Sequence, residues 1–365
     1  MKKLPKRTLV YDISNILFRV SAVQKQNPFA KDCSPEDLVG LCMHVSLQSI
    51  MKWYNKFRPE FVVFAFEGGN NWRKKYTADE KSRKAYKANR VVDPEMKHYY
   101  SLLESFMNTV SNHTSVCCLC IDTMEADDEI AAFCQLYASQ DHEINIISGD
   151  RDFTQLLKLP NVHLINPDNG KPRNTPDDKK YEPDLDYWMF LKCIRGDGGD
   201  NVPSAYPRVR ETRIKKAYAD QYERVNFMNE VWVEERIEHD EQGMPLIGAD
   251  GQIVITKIPH RVGDLYEENV ILMDLTKQPT DTRLILEEGV KMQVEELGNY
   301  SHFHFLRFLG EFNLQRVSED AIKFAELFSN NQRFLKGEQV VPKQGKPLME
   351  REKPEPKQQS NLLNF

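Results

Sequence analysis

Val116-Cys-Cys-Leu-Cys-Ile121, followed without a break by Asp122-Thr-Met-Glu-Ala-Asp-Asp-Glu-Ile130, decides the fold. The first six residues are continuously apolar, the pattern of a strand covered on both faces. After the acidic stretch, Ala126, Ile130, Phe133 and Tyr137 recur at helical spacing and predict an amphipathic helix. The unit is strand, acidic junction, helix. It recurs on both sides: Thr8–Ile13, Phe61–Phe66, Ile144–Ser148 and Val162–Ile165 are further short apolar strands. Ser34-Pro35 and Asp93-Pro94 open helices between them, each with a capping side chain and proline at the first helical position. This alternation predicts an α/β domain with a mostly parallel central sheet flanked by helices and right-handed crossovers. Ligands of such sheets lie beyond the carboxyl ends of the strands.

The chain has 365 residues, 40% of them hydrophobic and 28% charged, enough for a large buried core. Its 49 basic and 55 acidic residues leave a net charge of −6, which excludes a uniformly basic nucleic-acid coat. No apolar run approaches the roughly 20 residues of a membrane span. The basic N-terminus leads directly into a strand containing Asp12, so no signal peptide is expected. Seven cysteines, an odd number, argue for a reducing cytoplasm rather than a disulfide scaffold. Cys117, Cys118 and Cys120 are expected as core residues, because no second CxxC or His pair follows at zinc-binding distance.

Four strands each deliver carboxylate to one edge of this sheet. Asp12 ends the first and Glu67 follows the second; Glu125, Asp127 and Asp128 follow the third, and Asp150 and Asp152 the fourth. Asp197 and Asp200, in Gly196-Asp-Gly-Gly-Asp200, join from a later turn. Singly, acids in the first turn of a helix merely complement its dipole. Together they repel one another and require cations, and an all-oxygen set suits Mg²⁺, with Mn²⁺ able to substitute, rather than zinc. Two such ions support phosphodiester hydrolysis. An Asp-x-Asp phosphatase is disfavoured, because Asp12 is followed by Ile13-Ser14.

Trp72 to Arg90 carries eight basic and two acidic residues and begins five residues after Glu67. Lys74, Lys75, Arg83 and Lys84 are expected to clamp phosphates, and Trp72, Tyr76 and Tyr86 to stack on unpaired bases. Arg208, Arg210, Arg213, Lys215 and Lys216 form a second basic run suited to a duplex backbone. The remaining organisation is helical: Pro183–Arg195, a basic helix over Val209–Tyr222, and Leu265–Phe334. A hairpin insertion over 234–258 turns at Asp250-Gly251. Residues 336–358, rich in proline and charge, are expected to be a disordered linker.

Tyr11-Asp-Ile-Ser-Asn15, Met124-Glu-Ala-Asp-Asp-Glu-Ile-Ala131, Ile147-Ser-Gly-Asp-Arg-Asp-Phe-Thr-Gln-Leu156 and Gly196-Asp-Gly-Gly-Asp-Asn-Val-Pro203 resemble the flap endonuclease/5′-nuclease superfamily, most closely its phage ribonuclease H branch. Tyr86-Lys-Ala-Asn-Arg90 is similar to its arch. The resemblance implies a PIN/5′-nuclease-like catalytic domain over 1–180 with a helical arch at 72–92. It also implies a helical, helix-hairpin-helix-like DNA-binding subdomain over 181–335. The implied activity is that of a two-metal 5′-3′ exonuclease and flap endonuclease with ribonuclease H activity. It would remove RNA primers during lagging-strand replication of a bacteriophage, in the host cytoplasm and as a monomer. One metal site would draw on Asp12, Glu67, Glu125, Asp127 and Asp150, the second on Asp128, Asp152, Asp197 and Asp200. Lys87, with Arg90 or Arg73, would contact the scissile phosphate. The chain departs from the family in having Glu67 where Asp is usual. Its Gly-rich helix–hairpin is not intact after Asn201, so no potassium site is expected. Gln359, Leu362 and Phe365 keep the spacing of peptides that dock on sliding clamps, and a tether before them would raise local concentration there. A single-stranded-DNA-binding protein is a further partner implied by the family. The readings set against this one are an endoribonuclease without 5′-end selectivity and a non-catalytic DNA-binding module.

Overall fold

The computed structural model describes residues 4–28, 33–79, 84–90, 94–240, 242–248 and 250–336. Arg83, Asp93, most of the 336–358 segment and the 359–365 peptide with Gln359, Leu362 and Phe365 lie outside these.

The first half runs β1 (Arg7–Asp12), α1 (Ile13–Gln24), α2 (Pro35–Phe57), β2 (Phe61–Ala65), α3 (Trp72–Asp79), α4 (Met96–His113) and β3 (Cys117–Leu119). It continues through α5 (Ala126–Tyr137), β4 (Glu143–Ile147), a 3-10 helix (Asp152–Lys158) and β5 (Val162–Ile165). Every neighbouring pair among these five strands is parallel, and their order is β3-β2-β1-β4-β5. The chain steps outward from β1 to β3, then crosses back to place β4 on the other side of β1. The switch point lies between β1 and β4, where such sheets open a crevice at the carboxyl ends. β1 and β2 are buried almost throughout, which is why they appear as unbroken apolar runs. β3 is shorter than its sequence run, because an edge strand has a ladder on one side only. Cys117 is buried there, and Cys118 and Cys120 are half-buried.

The α2 start follows its chemistry: Ser34 accepts from the Asp37 amide and Pro35 occupies the first turn. The Asp93-Pro94 expectation is corrected, since α4 begins at Met96 after Glu95, with no side-chain cap. The basic helix expected over Val209–Tyr222 is two helices. Asp220 ends α7 (Glu211–Ala219) and caps α8 (Gln221–Asn229) by accepting from the Glu223 amide. The second half comprises α6 (Leu185–Arg195), α7, α8, β6 (Val231–Ile237), β7 (Ile255–Arg261), α9 (Val262–Met273), α10 (Thr280–Glu295), α11 (His302–Glu311), α12 (Gln315–Glu319), α13 (Ala321–Phe328) and α14 (Gln332–Leu335).

The division at 181–335 is also corrected. Phe305, Phe308, Phe324 and Phe328 join the cluster on one face of the sheet, with α2 and α4. Leu286, Val290, Val294 and Phe334 join the cluster on the other face, with α5. Helices α10 to α14 therefore complete the α/β core. Only α6 to α9 form a core of their own, around Tyr187, Phe190, Ile214, Phe227 and Leu265. Large apolar faces are buried where area is available, and both faces of a parallel sheet demand cover.

Candidate active site

Asp12 terminates β1 and caps α1, its Oδ1 accepting from the Asn15 amide at 3.0 Å and its Oδ2 from Ser148 Oγ at 3.0 Å. Ser148 also accepts from the Asp150 amide, and Asn15 Oδ1 accepts from the Gly149 amide, so the ends of β1 and β4 are laced together. Glu67 follows β2, and Gly68 explains its position. The Gly68 amide donates to Met124 O at 2.9 Å, and a Cβ on Gly68 would stand 2.1 Å from Ile121 O. Only glycine lets this strand end close against the loop carrying Glu125. At Gly196, φ +71 and a would-be Cβ 2.4 Å from Val202 O require glycine where α6 turns into the Asp197–Asp200 loop.

The nine acids divide by partner. Asp12, Glu67, Asp127 and Asp150 face one another without a basic residue at ion-pair distance among the described residues. Burial and the charge of Asp150 hold the Asp12 carboxyl at about 6, against hydrogen bonds that lower it. Burial raises Asp127 well above the carboxylate range, and Asp150, Asp12, Glu67 and Glu125 raise it further. Glu67 rises to about 7 through desolvation and the charges of Glu125 and Asp12. It is exposed, and the water reaching it moderates that rise.

The other five are paired. Asp152 contacts Lys192, which lies 3.7 Å from Asp197. Asp200 accepts from Arg90 at 2.7 Å and from the Tyr86 hydroxyl at 2.9 Å. Glu125 accepts from Arg73 at 2.8 Å, Tyr86 at 3.0 Å and the Lys87 ammonium. Asp128, wholly buried, accepts two hydrogen bonds from Arg73, both at 2.7 Å, one from Trp72 Nε1 at 3.0 Å and one from Gln278 at 3.1 Å. Burial alone would raise Asp128; the Arg73 charge and these donors hold it below the usual carboxylate range.

Several expectations change accordingly. Asp128 has its acceptor sites filled and is the anchor of a buried ion pair. Arg73, 1% exposed, is bound to Asp128, Glu125 and Leu272 O, and so does not reach a phosphate. Trp72 and Tyr86 are buried and hydrogen-bonded, so their faces are closed to bases. Lys74 and Lys75 are exposed on α3, Tyr76 is half-buried and Lys84 exposed. Lys87 and Arg90 do reach the acids, and the Lys87 amide donates to Asp200 O at 2.9 Å with φ at +55. In the later basic run, Arg213 pairs with Glu230, Lys215 with Glu211 and Lys216 with Glu223, whereas Arg208 and Arg210 are exposed. Sequence reading missed Lys192, Ser148, Asn15 and Gln278. Ser148 and Asn15 were signalled by their places in the motifs at the ends of β4 and β1; Lys192 and Gln278 carry no local signal.

Among the described residues, no three His, Cys, Asp or Glu side chains form a ready-made ion cage. The donor set nevertheless fits a hard divalent cation: oxygen-only, mutually repelling and short of positive charge. Among the described residues no helix is long and apolar enough to cross a membrane.

Residues 7–184 match the family model described as 5′-3′ exonuclease, N-terminal resolvase-like domain. Ribonuclease H of Enterobacteria phage T4 is 30% identical over 137 residues, covering 38% of this chain and 43% of that protein. Flap endonuclease Xni of Shewanella loihica is 28% identical over 204 residues, 54% of this chain and 70% of that one. A crystal structure of the T5 D15 protein co-crystallised with metal ions aligns at TM-score 0.49 and 17% identity, over 80% of this chain and 99% of that chain. The chain thus spans less than half the length of the T4 relative, and about a tenth of a matching DNA polymerase I from Rhizobium leguminosarum.

Proposed function

From the premise that residues 7–184 carry a domain of the flap endonuclease/5′-nuclease superfamily, we propose that this protein is a divalent-metal-dependent, structure-selective 5′-nuclease. It would cleave phosphodiesters near the 5′ ends of RNA·DNA hybrids and flapped DNA. The observation that carries this reading is the group Asp12, Glu67, Asp127 and Asp150, uncompensated at the switch point, with Lys87 and Arg90 docked on the acids beside it.

Asp12, Asp127 and Asp150, with Glu67, would hold Mg²⁺ or Mn²⁺, and Asp152, Asp197 and Asp200 a second ion. Bound divalent ions supply an activated water and neutralise charge on the leaving oxygen. Ser148 and Asn15 fix the Asp12 carboxylate and tie it to the backbone at the end of β4. Lys87 and Arg90 hold acids that an entering phosphate must displace, so substrate binding would transfer their charge to the scissile phosphate. Lys192 restrains Asp152 and Asp197. Exposed Lys74, Lys75, Arg208 and Arg210 would track the phosphate backbone.

In replication, the proposed task is removal of RNA primers, for a bacteriophage, with a sliding clamp engaged through 359–365 and a single-stranded-DNA-binding protein nearby. The test is cleavage of 5′-labelled flap and RNA·DNA substrates in Mg²⁺ and in EDTA. Asp150→Asn or Asp127→Asn should abolish cleavage and retain substrate binding. Equal rates in EDTA would overturn the metal mechanism.

A further inference from the structure

The acids assigned to the second ion come from two separate bodies of the fold. Asp152 opens the 3-10 helix at the carboxyl edge of the sheet, whereas Asp197 and Asp200 stand on the loop that follows α6, in the smaller core. The sheet therefore does not set the spacing between them. Helix α9 and the loop after it run across this gap. Leu265 packs in the α6–α9 core, and Leu272 and Met273 in a junction cluster with Tyr86, Met189, Cys193 and Val202. Leu275 packs in the cluster of the α5 face of the sheet.

Two buried side-chain amides fix this strut at either side of the gap. Asn269 of α9, 1% exposed, donates from Nδ2 to Cys193 O at 2.8 Å and to Pro203 O at 2.9 Å. Cys193 O is one of the last carbonyls of α6 and has no amide partner within that helix. Between the two carbonyls, the amides and carbonyls of Asp197 and Val202 pair reciprocally at 2.8 Å. The segment carrying Asp197 and Asp200 is thus a closed loop, and Asn269 holds both of its ends. Gln155, also buried, does the same for Asp152. Its Nε2 donates to Asp152 O at 2.9 Å and to Met273 O at 3.3 Å, and its Oε1 accepts from Leu275 N at 2.8 Å. Residues 269–275 are in this way bonded to the carriers of all three acids. Asp12, Glu67 and Asp150, by contrast, follow β1, β2 and β4, whose parallel ladders fix the strand ends.

We infer that Asn269 and Gln155 are positioning residues for the second ion, setting through α9 the distance between Asp152 and the Asp197–Asp200 loop. The first set of acids is held by the strand ends and does not depend on them. This inference rests on the two-ion reading given under the proposed function. The test counts Mn²⁺ bound to the full-length protein, from the electron paramagnetic resonance signal of the free ion. Wild type should bind two ions in two steps, and Asp197→Asn identifies the step that belongs to the second set. Asn269→Ser and Gln155→Met should each raise the dissociation constant of that step about tenfold, the lower end for losing a group that orients a metal ligand. The other step should stay unchanged. Asn331→Ser is the control for a merely structural loss, because Asn331 is fully buried and bonds the Val62 amide and carbonyl, both at 2.8 Å, at the start of β2. It should lower the melting temperature and move neither step. Two steps in wild type that stay unmoved in both variants would overturn the inference and leave the two-ion reading standing. So would equal weakening of both steps, or a shift of the second step in Asn331→Ser. A single bound ion in wild type would remove the second site itself, and the inference with it.

Discussion

Asp128→Asn separates the two roles that an acid in this position can have. As a metal ligand, Asp128 would be dispensable for folding in a metal-free buffer, and its loss would relieve repulsion. As the partner of Arg73 it is indispensable, because Arg73 is 1% exposed and its guanidinium has no water to turn to. The substitution removes the charge opposite Nη1 and Nη2, both bonded at 2.7 Å, and replaces one acceptor oxygen by a donor. Breaking a buried pair in this way costs about 3–5 kcal/mol. Glu125 remains 2.8 Å from Nη1, so the lower end is expected, about 3 kcal/mol. With a denaturant slope of roughly 3 kcal/mol per molar urea, the midpoint should fall by roughly 1 M. The assay is urea unfolding in EDTA, followed by tryptophan fluorescence, which Trp72 reports from beside the pair. The pH dependence carries the same sign. The Asp128 carboxyl is depressed below its ordinary 3.8, so its contribution is present above that value and lost as pH falls through the depressed one. The gap between wild type and variant should therefore persist at neutral pH and shrink in acid below about pH 4. A variant with the wild-type midpoint in EDTA but without Mg²⁺ binding would return Asp128 to the ligands and refute the reasoning.

Mg²⁺ should raise the melting temperature of the wild type, by the equivalent of about 2.7 kcal/mol at a hundredfold excess over its dissociation constant. Asp150→Asn should lose most of this shift in differential scanning fluorimetry; an undiminished shift would place the ion elsewhere. Lys87→Ala should slow single-turnover cleavage about 10²-fold while changing substrate affinity little, as expected for charge aimed at the reacting phosphate. An unchanged single-turnover rate would remove Lys87 from the reaction. Deletion of residues 359–365 should leave basal cleavage intact and abolish stimulation by a sliding clamp; a truncated protein that still responds would exclude that peptide.

The sequence alone determined the parallel α/β sheet and the acids along one edge of it. Both signals are local: a strand buried on two faces must be continuously apolar, and an acid directly after it has to emerge at the strand end. It also placed a basic segment close to those acids, since only a few residues separate Glu67 from Trp72. Only the tertiary structure decided which acids are left for a cation. Arg73 and Asp128 are 55 residues apart, and Lys192 lies 40 residues beyond Asp152, so no spacing rule could pair them. Burial settled the rest: the same guanidinium or indole that would grip a phosphate or a base in solvent becomes a structural partner once it is enclosed with a carboxylate. Helices α10 to α14 make the same point, because their apolar stripes do not state which surface they will cover. A charge or an apolar face is written in the chain, but its partner depends on which distant segment excludes water from it.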